Sequence, residues 1–99
     1  MRTLLKVSIP VEKGNEAQKN GALPRTIQAL METLRPEAAY FYPENGARAA
    51  LFVFDMEASS QLPPTLEPLF LNLNAGVTLT PVMNAEELQQ GLSRAGIGA

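Results

Sequence analysis

The sequence predicts a single α+β domain, residues 1–99, in which four antiparallel strands form one sheet. Two strand-like runs flank Asn45-Gly46, a dipeptide typical of a two-residue turn between antiparallel strands. Apolar residues recur at helical spacing on both sides of this hairpin. The chain has 99 residues, 45% hydrophobic and 18% charged, which is typical of one small folded domain.

The chain begins with a predicted strand from Thr3 to Val11. Because strand side chains alternate between faces, one face is apolar and the other contains a charge between apolar neighbours. The two sets are Leu5, Val7 and Ile9, and Leu4, Lys6 and Ser8.

A helical region follows, and glycine and proline divide it. Asn15 is its predicted N-cap. Gly21 and Pro24 predict a kink, or a second helix that begins near Leu23. Pro36 ends this helix, because the residue before a proline avoids helical backbone. Its apolar stripe consists of Leu23, Ile27, Leu30, Met31 and Leu34.

The hairpin then sets the register of two strands. A turn at Asn45-Gly46 places Tyr42 opposite Ala49 and Tyr40 opposite Leu51. One face is purely apolar, and its aromatic rings are expected to hold the helices: Ala39, Phe41, Ala50, Phe52 and Phe54. The other face combines apolar groups with two phenols and a carboxylate: Tyr40, Tyr42, Ala49, Leu51, Val53 and Asp55. Neither face has the charge of a solvated sheet surface, so both are predicted to be covered.

A second helix with several prolines comes next. Ser59 or Ser60 is the candidate N-cap, and Pro63-Pro64 fits the first turn. Pro68 predicts that the helix is short or restarts there. Asn74 marks its end.

The chain ends with a predicted strand and a short helix. The strand runs from Val77 to Met83, and Asn84 with Glu87 has the chemistry of a capping box. Gly96 and Gly98 predict a frayed terminus.

This order of elements predicts a ferredoxin-like βαββαβ fold with an additional short C-terminal helix. The helices would cover one face of the sheet. The opposite face is too apolar for water and too polar for a dry core. We therefore expect it to stack on the same face of a second copy, which would close a barrel-like homodimer with residual interior space.

The chain also resembles a known superfamily, the dimeric α/β barrels, and is similar to small bacterial proteins of that fold. The likeness spans nearly the whole chain and is carried by Val7-Ser8-Ile9-Pro10 with Gly14-Asn15, 36–41, 46–48, 52–55, Glu67-Pro68-Leu69-Phe70 and Pro81-Val82-Met83. The superfamily includes cofactor-free monooxygenases, muconolactone-type isomerases, haem proteins related to chlorite dismutase and ligand-sensing modules. The resemblance therefore implies the fold and leaves the activity open.

Composition excludes several classes of chemistry. The chain contains no histidine and no cysteine, which removes Ser–His and Cys–His catalysis, a proximal haem histidine and most zinc sites. A net charge of −2 provides no basic field for nucleic acid or an anionic membrane. No signal peptide or membrane span is visible, so we expect a cytoplasmic protein that uses no cofactor or metal.

Three residues are candidates for acid–base catalysis. Lys6 would be a base or an anion anchor, or a partner of Asp55 or Glu12 in a salt bridge. Asp55 would be a base at a strand end, or would cap the following turn. Glu67 would be an acid or base beside the cavity, or would satisfy amides at a helix start.

Four further residues are candidates for ligand binding together with Lys6. Tyr40 and Tyr42 would donate hydrogen bonds into the barrel, or would only pack at the dimer interface. Ser8 lies on the same face, and Arg48 would bind a carboxylate at the barrel mouth or form a salt bridge at the strand edge.

Two functional hypotheses follow from these residues. In the first, the homodimer binds a small, mostly apolar ligand in the barrel, either as a binder or as a cofactor-free isomerase, lyase or monooxygenase. In the second, the barrel is filled by its own side chains and the protein is a non-catalytic interaction module. The free volume inside the dimer discriminates between them.

Overall fold

The computed structural model describes residues 1–98, which form four strands and four α-helices, so Ala99 lies outside the described residues. The elements are β1 (Arg2–Ile9), α1 (Val11–Asn20), α2 (Ala22–Leu34), β2 (Ala38–Glu44), β3 (Ala47–Asp55), α3 (Leu62–Leu73), β4 (Gly76–Pro81) and α4 (Ala85–Arg94), with one 3₁₀ turn at Ser59–Gln61. The strands lie in the order β2-β3-β1-β4, and each neighbouring pair is antiparallel. This arrangement confirms the α+β, ferredoxin-like prediction.

The β2–β3 hairpin has the predicted register. Tyr42 pairs with Ala49 and Tyr40 with Leu51, as the turn requires. Asn45 and Gly46 both have positive φ, 52° and 77°, as expected of the turn that matches the twist of a hairpin.

One face of the sheet forms the core with α1, α2 and α3. The buried sheet residues come mainly from the two central strands, β1 and β3, and the helices contribute side chains at helical spacing. They are Leu5, Val7, Ile9, Ala50, Phe52 and Phe54 from the sheet, and Ala17, Leu23, Leu30, Leu34, Leu69 and Leu73 from the helices. Ala39, Val77 and Leu79 are partly buried and pack against this cluster.

Phe41 is the exception on this face. Its ring stacks edge-on against Phe52, with ring centroids 5.9 Å apart, yet Phe41 is 59% exposed. The prediction that it holds the helices is wrong, because β2 is the outermost strand and the helices pack over its inner neighbours.

The helical region begins earlier than predicted. α1 starts at Val11, directly after Pro10, and the Gly14 amide donates to the Pro10 carbonyl over 2.8 Å. Asn15 is therefore an interior helical residue and no N-cap. Gly21, with φ of 84°, separates α1 from α2, which confirms the predicted division into two helices.

α3 also differs from its prediction. It continues through Pro68 as one helix of 12 residues. Pro68 is exposed, whereas Leu69 and Leu73 are fully buried, so packing of the inner face outweighs the hydrogen bond that proline removes. Neither Ser59 nor Ser60 caps the helix; the Gln61 side chain instead accepts hydrogen bonds from the Glu57 and Ala58 amides, over 2.7 and 3.2 Å.

α4 lies apart from the core. None of its residues 85–94 is buried, and the predicted capping box is confirmed: the Glu87 amide donates to Asn84 Oδ1 over 2.8 Å, and the Asn84 amide donates to Glu87 Oε1 over 2.9 Å. Arg2 connects this helix to the sheet, because its guanidinium forms ion pairs with both Glu37 and Glu87.

Candidate functional site

The candidate site is the sheet face that α1, α2 and α3 leave uncovered, which we call the open face. Its side chains come from alternating positions of all four strands: Arg2, Leu4, Lys6, Ser8, Ala38, Tyr40, Tyr42, Glu44, Ala47, Ala49, Leu51, Val53, Asp55, Thr78 and Thr80. The register arranges most of them in rows that cross the sheet. A central row runs Tyr40–Leu51–Lys6–Thr78.

The middle of the open face is apolar and only half covered. Leu4, Leu51 and Val53 are each partly exposed, and Tyr40 is 64% exposed at the β2 edge. Charged side chains also lie on this surface: Lys6 beside Leu51 in the central row, Glu44 near the hairpin turn, and Arg2 opposite Asp55 at the other end. The partly exposed Leu4, Leu51 and Val53 distinguish it from a sheet face that is polar throughout because it faces water.

A depression of about 280 Å³ lies beside this apolar middle. Lys6, Ser8, Tyr42, Glu44 and Thr78 contribute to its walls. The hollow arises because the row that begins at Tyr42 continues with three small residues, Ala49, Ser8 and Gly76. Small side chains on the central strands leave room between the Tyr42 phenol and the β4 edge.

The polar groups of the depression form one ion pair. Lys6 Nζ lies 3.4 Å from Glu44 Oε2, and both side chains are about two-fifths exposed. At that exposure the pair contributes little to stability. The Lys6 ammonium, the Ser8 hydroxyl and the Tyr42 phenol are hydrogen-bond donors, and the Glu44 carboxylate is an acceptor. Together they can orient a small polar group at the margin of an apolar surface.

Sequence reasoning missed Glu44 and proposed Asp55 or Glu12 as partners of Lys6. The signal was available in the hairpin register. Glu44 follows Tyr42 by two residues and therefore lies on the same face. Its position near the turn places its carboxylate within reach of Lys6 on the next strand but one.

Asp55 and Tyr40 lie on the open face but outside the depression. Asp55 Oδ1 accepts a hydrogen bond from the Met1 amino group over 2.6 Å, and the carboxylate is mostly exposed. Tyr40 lies on the edge strand β2, and Asp55 lies at the end of β3.

Arg48 and Glu67 are on the opposite side of the sheet. Arg48 donates from Nη1 to Asn15 Oδ1 of α1 over 3.0 Å. Glu67 is an exposed residue of α3, in the helix layer. The structure thus brings Lys6, Ser8 and Tyr42 together, and leaves Arg48 and Glu67 separate from them.

Electrostatic shifts are concentrated at the opposite end of β1. The hydrogen bond from Arg2 to Glu37, 2.6 Å long, raises the pKa of the Arg2 guanidinium. The backbone hydrogen bond from Asn84 lowers the pKa of Glu87, and the Arg2 charge contributes in the same direction. This cluster joins β1, the residue before β2 and α4.

Comparisons with known proteins do not assign the chain to a family. No protein-family model matches it, and no curated protein is significantly similar in sequence.

Metal-binding clusters and membrane-spanning helices are both absent from residues 1–98. Over that range, no group of three or more Asp and Glu side chains is arranged to hold a metal ion. No helix in the same range has the length and apolar character needed to cross a membrane.

Proposed function

We propose that this protein is a homodimer joined through the open face, and that the space between the two sheets binds a small, mostly apolar ligand. The observation that supports the proposal is the composition of the open face, where Leu4, Leu51, Val53 and Tyr40 form an apolar surface beside a polar depression. Exposed apolar patches of this kind mark interaction surfaces.

Stacking two open faces would cover the apolar middle in both copies. A two-fold interface presents the same patch from each subunit, so each Leu4–Leu51–Val53 cluster would meet its counterpart. The small residues Ser8, Ala49 and Gly76 cannot fill the space above them, so the depression would become part of an enclosed cavity.

Within that cavity, Lys6, Ser8 and Tyr42 would hold the polar end of the ligand. A pocket that is mainly apolar with a few convergent polar groups is the usual form of a small-molecule site. If the protein is an enzyme, Lys6 and Glu44 are the titratable groups beside the ligand, and Tyr42 is the donor for a developing oxyanion. Glu67, in the helix layer, would belong to no such centre.

The alternative function is a dimerisation module with a filled barrel. Tyr40 supports it, because a large phenol at the edge of the open face could cross into the partner's depression. A dimer structure discriminates between the two functions: an empty interior lined by Tyr42 supports ligand binding, and an interior packed with Tyr40 rings supports the module.

Sedimentation equilibrium tests the dimer. We expect a mass of about twice the 10.7 kDa chain at micromolar concentration. Tyr42→Asp should yield a monomer, because it places a charge on the covered face. Phe70→Asp makes the same kind of change at an exposed position of α3 and should leave the dimer intact. Dimer affinity unchanged by Tyr42→Asp would show that another surface is used.

Native mass spectrometry of freshly purified protein tests the ligand. We expect a small molecule bound to the dimer and lost from Lys6→Met, since this variant removes the charged donor from the wall of the depression. Lys19→Met, an exposed change on α1, serves as the control. A ligand-free dimer with a packed interior would favour the module.

A further inference from the structure

A second cavity lies on the other side of the sheet, between the helices and the exposed strand β2. It has a volume of about 470 Å³. Its apolar wall consists of Ile9, Leu23, Ile27, Phe41 and Ala50. We call this cavity the β2 groove. It exists because the helices cover β1 and β3 and stop short of the edge strand, which leaves the Phe41 ring as an exposed apolar wall.

One end of the β2 groove is cationic. Arg48 lines this end, and Gln18 and Tyr42 are further polar residues among those that line the groove. None of the ion pairs within residues 1–98 includes Arg48. Its guanidinium donates one hydrogen bond, to the neutral Asn15 amide, which leaves other N–H groups of the fork available.

Gly14 and Asn15 hold the Arg48 side chain in place. A Cβ atom at Gly14 would approach Arg48 Nη1 to 2.9 Å and Cδ to 3.5 Å, so the arginine lies directly against the backbone of α1. Asn15 then accepts from Nη1 over 3.0 Å. A fixed guanidinium loses less conformational freedom on binding than a free side chain would.

We propose that the β2 groove binds a small amphipathic monocarboxylate, with the acid on Arg48 and the apolar tail along Phe41, Ile27 and Leu23. A guanidinium fork matches a carboxylate in geometry and charge. The volume suits a ligand of modest size, and the wall beyond Arg48 is apolar. Because the groove contains one cation and lies beside a long apolar wall, it favours a singly charged ligand over a polyanion.

This site lies on the opposite face of the sheet from the homodimer interface proposed above, and Tyr42 of the edge strand borders both cavities. Arg48 is paired with Ile9 in the sheet, and both side chains lie on the helix-covered face. Stacking of two open faces leaves the β2 groove accessible. The two proposals can therefore fail separately. Ligand binding at Arg48 can be lost while the dimer stays intact, and the dimer can be lost while ligand binding at Arg48 stays intact.

Titration of the full chain with octanoate, followed by backbone amide NMR, tests the proposal. We expect shifts confined to residues around Ile9, Leu23, Phe41 and Arg48. Arg48→Met should weaken octanoate by about tenfold, because it removes a charge-assisted contact and keeps the apolar stem. The uncharged probe 1-octanol should bind both forms equally and more weakly than octanoate binds the wild type. Arg94→Met, on α4, is the control and should leave both affinities unchanged.

Gly14→Ala examines the positioning of Arg48 separately. The added methyl group displaces the end of the flexible Arg48 side chain and also approaches Cγ2 of the buried Ile9 to 3.3 Å, so Ile9 must shift by a few tenths of an ångström. We expect a smaller loss of octanoate affinity than for Arg48→Met, and a smaller change for 1-octanol than for octanoate.

Three results would overturn the proposal: no octanoate binding, equal affinities in wild type and Arg48→Met, or shifts located outside the β2 groove. Groove shifts that follow protein concentration instead of octanoate would assign the surface to a second copy, which also overturns it.

Discussion

The two faces of the sheet use the same strands for different purposes. On β1, the Leu5 side chain packs under the helices and is 0% exposed to solvent. The Leu4 side chain, one residue earlier, is half-buried on the open face. The backbone hydrogen bonds of both residues belong to the same central strand. The difference shows that the helix layer alone makes one face a core, and that the open face needs a separate cover.

Truncating these neighbouring leucines should produce the largest contrast. Leu5→Ala creates a cavity in the core and should lower the free energy of unfolding by about 2–5 kcal/mol. Leu4→Ala should reduce the free energy of dimerisation more than it reduces the free energy of unfolding of the single chain. Denaturation at several protein concentrations separates the two effects, and equal losses that do not depend on concentration would contradict this account.

The stacked phenylalanines test the comparison within the helix-covered face. Phe52→Ala should cost about 3–5 kcal/mol, because Phe52 is fully buried. Phe41→Ala should cost about 1 kcal/mol, since it removes mainly one edge-on ring contact. Urea denaturation measures both. A cost for Phe41→Ala as large as that for Phe52→Ala would mean that the β2 groove is closed in solution.

Removing the cap of α4 should have a smaller, local effect. Asn84→Ala loses the hydrogen bond to the Glu87 amide and should destabilise the helix by about 1 kcal/mol. Hydrogen exchange should rise across residues 85–92 and stay unchanged in α2. Equal increases in both helices would show that α4 unfolds together with the core.

Low pH should destabilise the same helix, α4, and this is the smallest of the expected effects. The pKa of Glu87 is lowered in the folded chain by the Asn84 amide and by Arg2, so its stabilisation is present above the ordinary glutamate pKa of about 4.3. It is lost as the pH falls through the lowered folded-state value. Amide shifts of α4 between pH 7 and pH 3 should follow this titration, and Glu87→Gln should abolish it. If the α4 amide shifts of Glu87→Gln had the same pH profile as the wild type, the pH dependence would come from another group.

Local patterns predicted most of the fold because local chemistry decides it. The Asn45-Gly46 turn sets the hairpin register, Asn74 ends α3 with a φ of 51°, and Asn84 caps α4. The sequence-based predictions were wrong where tertiary contacts decide the local structure. Pro68 stays helical because its neighbours are buried. Asn15 accepts a hydrogen bond from Arg48 because the lack of a side chain at Gly14 lets the arginine lie against α1.

The candidate site was predictable to the extent that it depends on strand alternation. Lys6, Ser8 and Tyr42 share a face because side chains alternate, and the structure places them around one depression. The β2 groove was not predictable, because alternation assigns Phe41 to the helix side and does not say how far the helices extend across the sheet.

Protection of methyl groups from a soluble gadolinium chelate tests most directly whether a second copy covers the open face. We expect the Leu4, Leu51 and Val53 methyls to relax slowly in the wild type and quickly in Tyr42→Asp. Leu71, 75% exposed on α3, provides the internal reference and should relax quickly in both. Open-face methyls that relax at the same rate in the wild type and in Tyr42→Asp would contradict the account.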